Sequence, residues 1–369
     1  MPKLPDGIFP AQMIEELFEQ GAMSTKSALD EDQIQPASLD MRLGEKAFRV
    51  RSSFLPGPER SVDERIRELM LHEIDLGEGA VLERGCVYLV PLLERANLPP
   101  EISASANPKS STGRLDIFTR VICDHARAFD QVEKGYAGPL YLEISPRTFP
   151  ILARTGSRLT QLRFRKGDTR LSDEEHRQLH REQALVIDPN IEVGNGVSLS
   201  IDLLGKERDG LVGFRSKHHT AVVDVDRKNA LEVLDFWEPL FNRGRNELVL
   251  DPDEFYILVS RESVHVPPDF AAEMMPFDHT VGEFRVHYAG FFDPGFGHDA
   301  AGGRGSRAVL EVRSHEVPFL LGHGQTIGRL IYERMAKRPE LLYGSDLGSN
   351  YQAQSLKLSK HFKPFGNPA

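Results

Sequence analysis

The sequence predicts an all-β chain built from two copies of one domain. Three observations carry that expectation. Short apolar runs rich in β-formers recur at residues 86–90, 140–144, 255–259 and 309–312, each the length of an ordinary strand. With 31 Gly and 24 Pro in 369 residues, turns are frequent enough to separate many short strands. The chain also repeats itself. Residues 38–43 resemble 198–203 at a shift of 160, and further on the shift settles at 168. That shift pairs Tyr88 with Tyr256, Glu94 with Glu262, Pro99-Pro100 with Pro267-Pro268, Leu142-Glu143 with Leu310-Glu311 and Gly156 with Gly324. The period lies far above the 20–50 residues of a solenoid, so it means tandem domains.

Helices are few. Residues 10–20 carry Met13, Ile14, Leu17 and Phe18 at helical spacing, and Gly21 ends the run. Ser172 and Glu175 form the pattern of a capping box, opening a charged helix toward His180. The boundary is placed in that charged stretch, giving domains at residues 1–183 and 184–369, each a compact sandwich or distorted barrel.

Composition excludes several classes. Apolar residues make up 40% and charged residues 27%, ordinary for a globular chain. No apolar run approaches the ~18 residues of a membrane span. Residues 1–7 lack the apolar core of a secretory signal. The two cysteines, Cys86 and Cys123, rule out a disulfide scaffold and suit a reducing cytoplasm. A net charge of −10 argues against a nucleic-acid polymer as partner, since phosphate neutralisation needs clustered Lys and Arg. His180-Arg181-Glu182 matches the His-x-Glu of zinc deaminases, but no Pro-Cys-x-x-Cys follows, so no zinc or other metal ligand set is expected. His218-His219 reads as a loop and Trp237 as core.

Three stretches can carry chemistry. In Lys109-Ser110-Ser111-Thr112-Gly113-Arg114, hydroxyls and backbone N–H groups beside two cations can cradle an anion; by composition the stretch reads equally as a polar surface turn. It lacks the Gly-x4-Gly-Lys-Ser/Thr spacing of a Walker loop. In residues 288–297, Asp293-Pro294-Gly295 is a tight turn flanked by aromatics. Those rings can pack on a base or sugar and Asp293 can accept a hydroxyl bond, although in isolation the stretch is a plain β-turn. The first copy has a blurred counterpart, residues 126–130, read as followed by an insertion at 131–134. Finally, Glu143 and its partner Glu311 sit inside apolar strands, either facing water or buried and tuned for proton transfer.

Taken in order, these stretches resemble the dCTP deaminase branch of the dUTPase superfamily. Residues 10–21 and 35–44 are similar to the family's opening segments. Lys109-Ser110-Ser111-Thr112-Gly113-Arg114-Leu115 resembles its Arg-Ser-Ser-x-x-Arg-Leu triphosphate loop, with Lys for Arg. Residues 138–143 and Leu310-Glu311 resemble the strand bearing its catalytic Glu, residues 289–297 its base and sugar loop, and residues 350–354 its closing C-terminal segment. The resemblance implies two dUTPase-like distorted β-barrels of the β-clip type and hydrolytic deamination of dCTP to dUTP and ammonia, in pyrimidine deoxynucleotide synthesis. One Glu, Glu311 or Glu143, would shuttle the proton; Ser110 would orient the water and Arg114 would steady charge. Lys109, Ser110, Ser111 and Arg114 would hold the triphosphate with its Mg2+, and Ala289, Asp293 and Gln354 the rest of the nucleotide. The second copy has Pro276-Phe277-Asp278-His279 in place of the phosphate loop. The complementary losses imply a site drawing on both copies and favour Glu311. The family's trimeric habit implies a homo-oligomer or an intramolecular pseudo-oligomer of domains. The same residues leave open dUTP diphosphatase chemistry, both activities together, or a non-catalytic nucleotide-binding regulator.

Overall fold

The computed structural model describes residues 5–187, 191–276, 284–286, 290–314, 316–344 and 356–366, with backbone alone at 276 and 284–286. Strands dominate, as expected, and the chain divides into two compact units. The first comprises residues 1–168, 219–231 and 359–363; the second comprises 169–218, 232–358 and 364–369.

In the first unit one sheet runs Gln131–Val132, Ile102–Pro108, Arg158–Lys166, Ser38–Arg42, Ile34–Gln35, with Gly7–Ile8 also on Arg158–Lys166. A second runs Ile117–Cys123, Ala137–Pro146, Val87–Asn97, Lys46–Val50, Met70–Asp75, with Met23–Thr25 on Val87–Asn97. A small third sheet sets Val223–Asp224 parallel to Ile151–Ala153. The helix Ala11–Glu19 buries Met13, Ile14 and Leu17, the stripe that its spacing predicted. A second helix, Val62–Leu69, has a capping box from Ser61 and Glu64 and buries Val62 and Ile66. Its Ser61-x-x-Glu64 pattern is the same capping signal that Ser172 and Glu175 carry.

The second unit repeats this plan. One sheet runs Val197–Ser200, Thr326–Arg334, Phe270–Pro276, Phe291–Phe292; another runs Trp237–Phe241, Leu211–Ser216, Phe255–Val264, Ser306–Ser314, Phe284–Val286. The helix Asp173–Gln183 carries the expected capping box of Ser172 and Glu175. Trp237 is fully buried. The repeat is exact at the level of register. Glu143 faces Leu89 and Leu142 faces Val90 in one unit; Glu311 faces Ile257 and Leu310 faces Leu258 in the other. Every one of those four pairs differs by 168.

The register corrects one sequence expectation. Val132 faces Ala104 in the first unit, and Phe292 faces Ala272 in the second. The turn that follows is also shared. Tyr136 N–H donates to Glu133 O and Leu98 N–H to Tyr136 O, just as Phe296 N–H donates to Asp293 O and Val266 N–H to Phe296 O. Gly135 and Gly295 both take positive φ, 72° and 94°. Residues 131–134 are therefore no insertion. Glu133-Lys134-Gly135-Tyr136 is the counterpart of Asp293-Pro294-Gly295-Phe296, and the first unit's extra residues lie before Gln131. Asp130 is not the partner of Asp293: it stands in a left-handed turn, where its carboxylate accepts the Val121 N–H at 2.7 Å. Phe129-Asp130 resembles Phe292-Asp293 only locally, because the two units carry their extra residues on opposite sides of the turn.

Candidate active site

The loop starting at Lys109 leaves the strand Ile102–Pro108 and closes into one helical turn, Ser110–Gly113. Thr112 and Gly113 N–H groups both return to Lys109 O, at 2.8 and 3.0 Å, and Arg114 N–H to Ser110 O at 3.1 Å. Ser111, Thr112 and Arg114 are buried. A plain surface turn would not be. Lys109 forms an ion pair with Asp40, which is itself 1% exposed, and Arg158 stands 3.7 Å from the same carboxylate. One oxygen of Asp40 accepts no hydrogen bond among the described residues. The loop thus presents hydroxyls and a cation whose present partner is a single carboxylate, a setting suited to an anion of higher charge.

Glu143 and Glu311 are 1% and 6% exposed, so neither faces water. In the first unit Arg120, opposite Glu143 in the strand register, donates twice to one carboxylate oxygen, Nε at 3.0 Å and Nη2 at 2.6 Å. The other oxygen accepts nothing among the described residues. The same guanidinium lies 3.5 Å from the centre of the Phe129 ring and bonds Ser53 Oγ at 2.6 Å. Phe129 packs on the core of Val50, Leu89, Ile122 and Tyr141. Glu143 therefore faces a cation that is itself backed by an aromatic ring. Three residues before the matched Val132 and Phe292, the sequence has Phe129 in the first copy and Ala289 in the second.

In the second unit Glu311 lies on the strand Ser306–Ser314, opposite Ile257. Asp293 is buried at the start of the Asp-Pro-Gly turn. Phe296 is 5% exposed and belongs to the core, edge-on to Phe292 at 5.0 Å and tilted on Tyr343 at 5.6 Å. Tyr343 N–H donates to Pro294 O at 2.8 Å. Phe296 is an anchor of the turn, not a free stacking surface as the sequence suggested. Gly297 follows at φ 66°, and a Cβ there would lie 2.2 Å from Val264 O; only glycine fits. Ala289, Gln354 and His279 fall outside the described residues.

Sequence reasoning missed the Arg120–Phe129 plug. Its signal was available: a bulky aromatic against an alanine three residues before matched strand positions.

The family model for the 2′-deoxycytidine 5′-triphosphate deaminase (DCD) N-terminal domain matches residues 5–168, and that for the C-terminal domain matches residues 172–362. A crystal structure of 2′-deoxycytidine 5′-triphosphate deaminase from Agrobacterium tumefaciens is 64% identical, covers 93% of this chain and 100% of its own, and superposes with a TM-score of 0.89. A dCTP deaminase of Natronomonas pharaonis is 37% identical over 137 residues, 36% of this chain and 66% of the relative. A "dCTP deaminase, dUMP-forming" of Methanobrevibacter smithii is 31% identical over 162 residues, 42% of this chain and 79% of the relative. The chain thus spans just under two thirds of the Natronomonas relative's length and all of the Agrobacterium chain. With both halves matched in order, and the phosphate-type loop and the paired glutamate strands in place, the chain belongs to the 2′-deoxycytidine 5′-triphosphate deaminase family.

Proposed function

We propose that the protein hydrolytically deaminates dCTP to dUTP and ammonia, with Glu311 as the working general acid and base. The carrying observation is the contrast between the two glutamates. Glu143 is committed to Arg120, whose guanidinium lies over Phe129, whereas Glu311 belongs to the copy whose sequence has alanine at the position of Phe129 and retains Asp293. Lys109, Ser110, Ser111 and Arg114 are assigned the triphosphate of MgdCTP. Asp293 is assigned a deoxyribose hydroxyl, and Glu311 the proton transfers.

The chemistry balances without a zinc-bound hydroxide. Glu311 takes a proton from water as its oxygen bonds to C4. Glu311 passes that proton to N3, then takes the proton of the new C4 hydroxyl and gives it to the amine; the C4–N4 bond breaks, the C4 carbonyl forms and ammonia leaves. The activity is expected to survive zinc chelation once Mg2+ is restored.

A second reading, release of pyrophosphate to give dUMP, is favoured by the likeness to the dUMP-forming dCTP deaminase of Methanobrevibacter smithii. Assaying ammonia and pyrophosphate together separates the two. The reading here expects one ammonia per dCTP and no pyrophosphate; equimolar pyrophosphate would establish the dUMP-forming reaction, and neither product would overturn both.

A further inference from the structure

The first unit gathers more positive charge at the Lys109 loop than the loop itself supplies. Lys109 and Arg158 share Asp40, and Arg158 also pairs with Asp32 at 2.8 Å. Two further cations come from far along the chain, Lys228 and Lys360. Their segments are tied in place. Ser359 Oγ donates to Ser111 O at 2.7 Å, on the helical turn of the loop itself. Asn229 N–H donates to Lys360 O and Ala230 N–H to His361 O, both at 2.9 Å, and His361 Nε2 lies 2.8 Å from Val225 O. Leu231 and Phe362 form a parallel bridge.

This places Lys360 one residue from a direct bond to the loop. Burial, together with the charges of Lys109, Lys228 and Arg158, pulls its ammonium down to about 8, with Asp40 opposing. Lys109, Arg158, Lys228 and Lys360 here meet the carboxylates of Asp30, Asp32 and Asp40, so among these groups cations outnumber carboxylates around a half-buried amine. Such an excess is costly on its own and is relieved by an incoming polyanion.

We propose that Lys360 is a binding residue for the polyphosphate end of the nucleotide, held beside the Lys109–Arg114 loop by the Ser359–Ser111 bond. The proposal rests on the reading of that loop as the triphosphate site. It adds a ligand from a segment about 250 residues away in sequence.

The test uses inorganic tripolyphosphate and deoxycytidine as separate probes, by calorimetry on the full chain. Lys360→Gln is expected to weaken tripolyphosphate at least tenfold, a charged hydrogen bond being worth about 1.5–3 kcal/mol. Lys360→Arg should retain most of the affinity, and deoxycytidine binding should not change. Should the Gln variant fold poorly, acetylation of Lys360 in the wild-type chain gives the same answer, with tripolyphosphate expected to slow it. Wild-type tripolyphosphate affinity in Lys360→Gln, or acetylation indifferent to tripolyphosphate, overturns the proposal and leaves dCTP deamination standing. Lys360-dependent tripolyphosphate binding in a chain that releases no ammonia from dCTP would instead sustain the ligand and overturn the reaction.

Discussion

Ser110 and Arg114 show how a short stretch earns its burial. Arg114 is 3% exposed, and a guanidinium is rarely placed there unless its charge is used. Ser110 opens the turn, its carbonyl accepting the Arg114 N–H. Ser110→Ala keeps the turn and removes one hydroxyl; Arg114→Ala removes a charged donor. Each is expected to cut kcat/KM for dCTP by roughly ten- to a hundredfold or more, at about 1.5–3 kcal/mol per charged hydrogen bond. His279→Ala, in the second copy's altered counterpart of the loop, is expected to stay near wild type. Comparable losses at His279 and Ser110 would remove the one-sided assignment of the phosphate loop.

Among the elements, the turn after Phe292 and the helix Asp173–Gln183 give the sharpest expectations. Gly297→Ala must adopt φ 66° and push a methyl against Val264 O and Ser306 N. Both are backbone atoms with little freedom to move. The expected loss is about 2–4 kcal/mol, read as a lowered unfolding midpoint, whereas Gly302→Ala, which meets nothing within 4 Å, should lose little beyond its backbone strain.

His176 docks the helix onto the strand Thr326–Arg334. Its Nδ1 lies 2.9 Å from Ser172 O and its Nε2 accepts the Tyr332 N–H at 3.0 Å, so the neutral ring with its proton on Nδ1 satisfies both. Burial holds its pKa below the ordinary histidine value. The unfolded chain therefore binds this proton at higher pH than the folded one. The stabilisation is complete above the ordinary histidine pKa and is lost as pH falls below it. Unfolding midpoints should drop between about pH 7.5 and about pH 5. His176→Gln should be less stable at the upper end and show a shallower drop; an unchanged slope would deny His176 this role.

Across the whole molecule, the parts that could be read from sequence are those written locally. Alternating and continuous apolar runs gave the strands around Glu143 and Glu311, helical spacing gave Ala11–Glu19, and Ser172 with Glu175 marked the next helix. The repeat gave the register between them. What stayed hidden depends on contacts distant in sequence. Val223–Asp224 joins the first unit's small sheet beside Ile151–Ala153, and Arg154 pairs with Asp224 through two hydrogen bonds of 2.8 and 2.9 Å; nothing in residues 219–231 signals that partner. The return of Ser359 to Ser111 is equally silent. The role of Phe129 was masked by an alignment that slid on Ala-Phe-Asp, since the true correspondence shows only in backbone pairing.

That correspondence is what separates two glutamates at one position of a repeat. Ammonia release from dCTP by the wild-type chain, Glu311→Gln and Glu143→Gln tests it most directly. Glutamine preserves size and hydrogen bonding but cannot carry the proton, and general acid–base catalysis is worth about 10²–10⁴-fold. The expected result is a loss of at least that order in Glu311→Gln, with Glu143→Gln close to wild type in activity and changed chiefly in stability through its bond to Arg120. Full activity in Glu311→Gln alongside an inactive, folded Glu143→Gln would contradict the account and move the chemistry to the first copy.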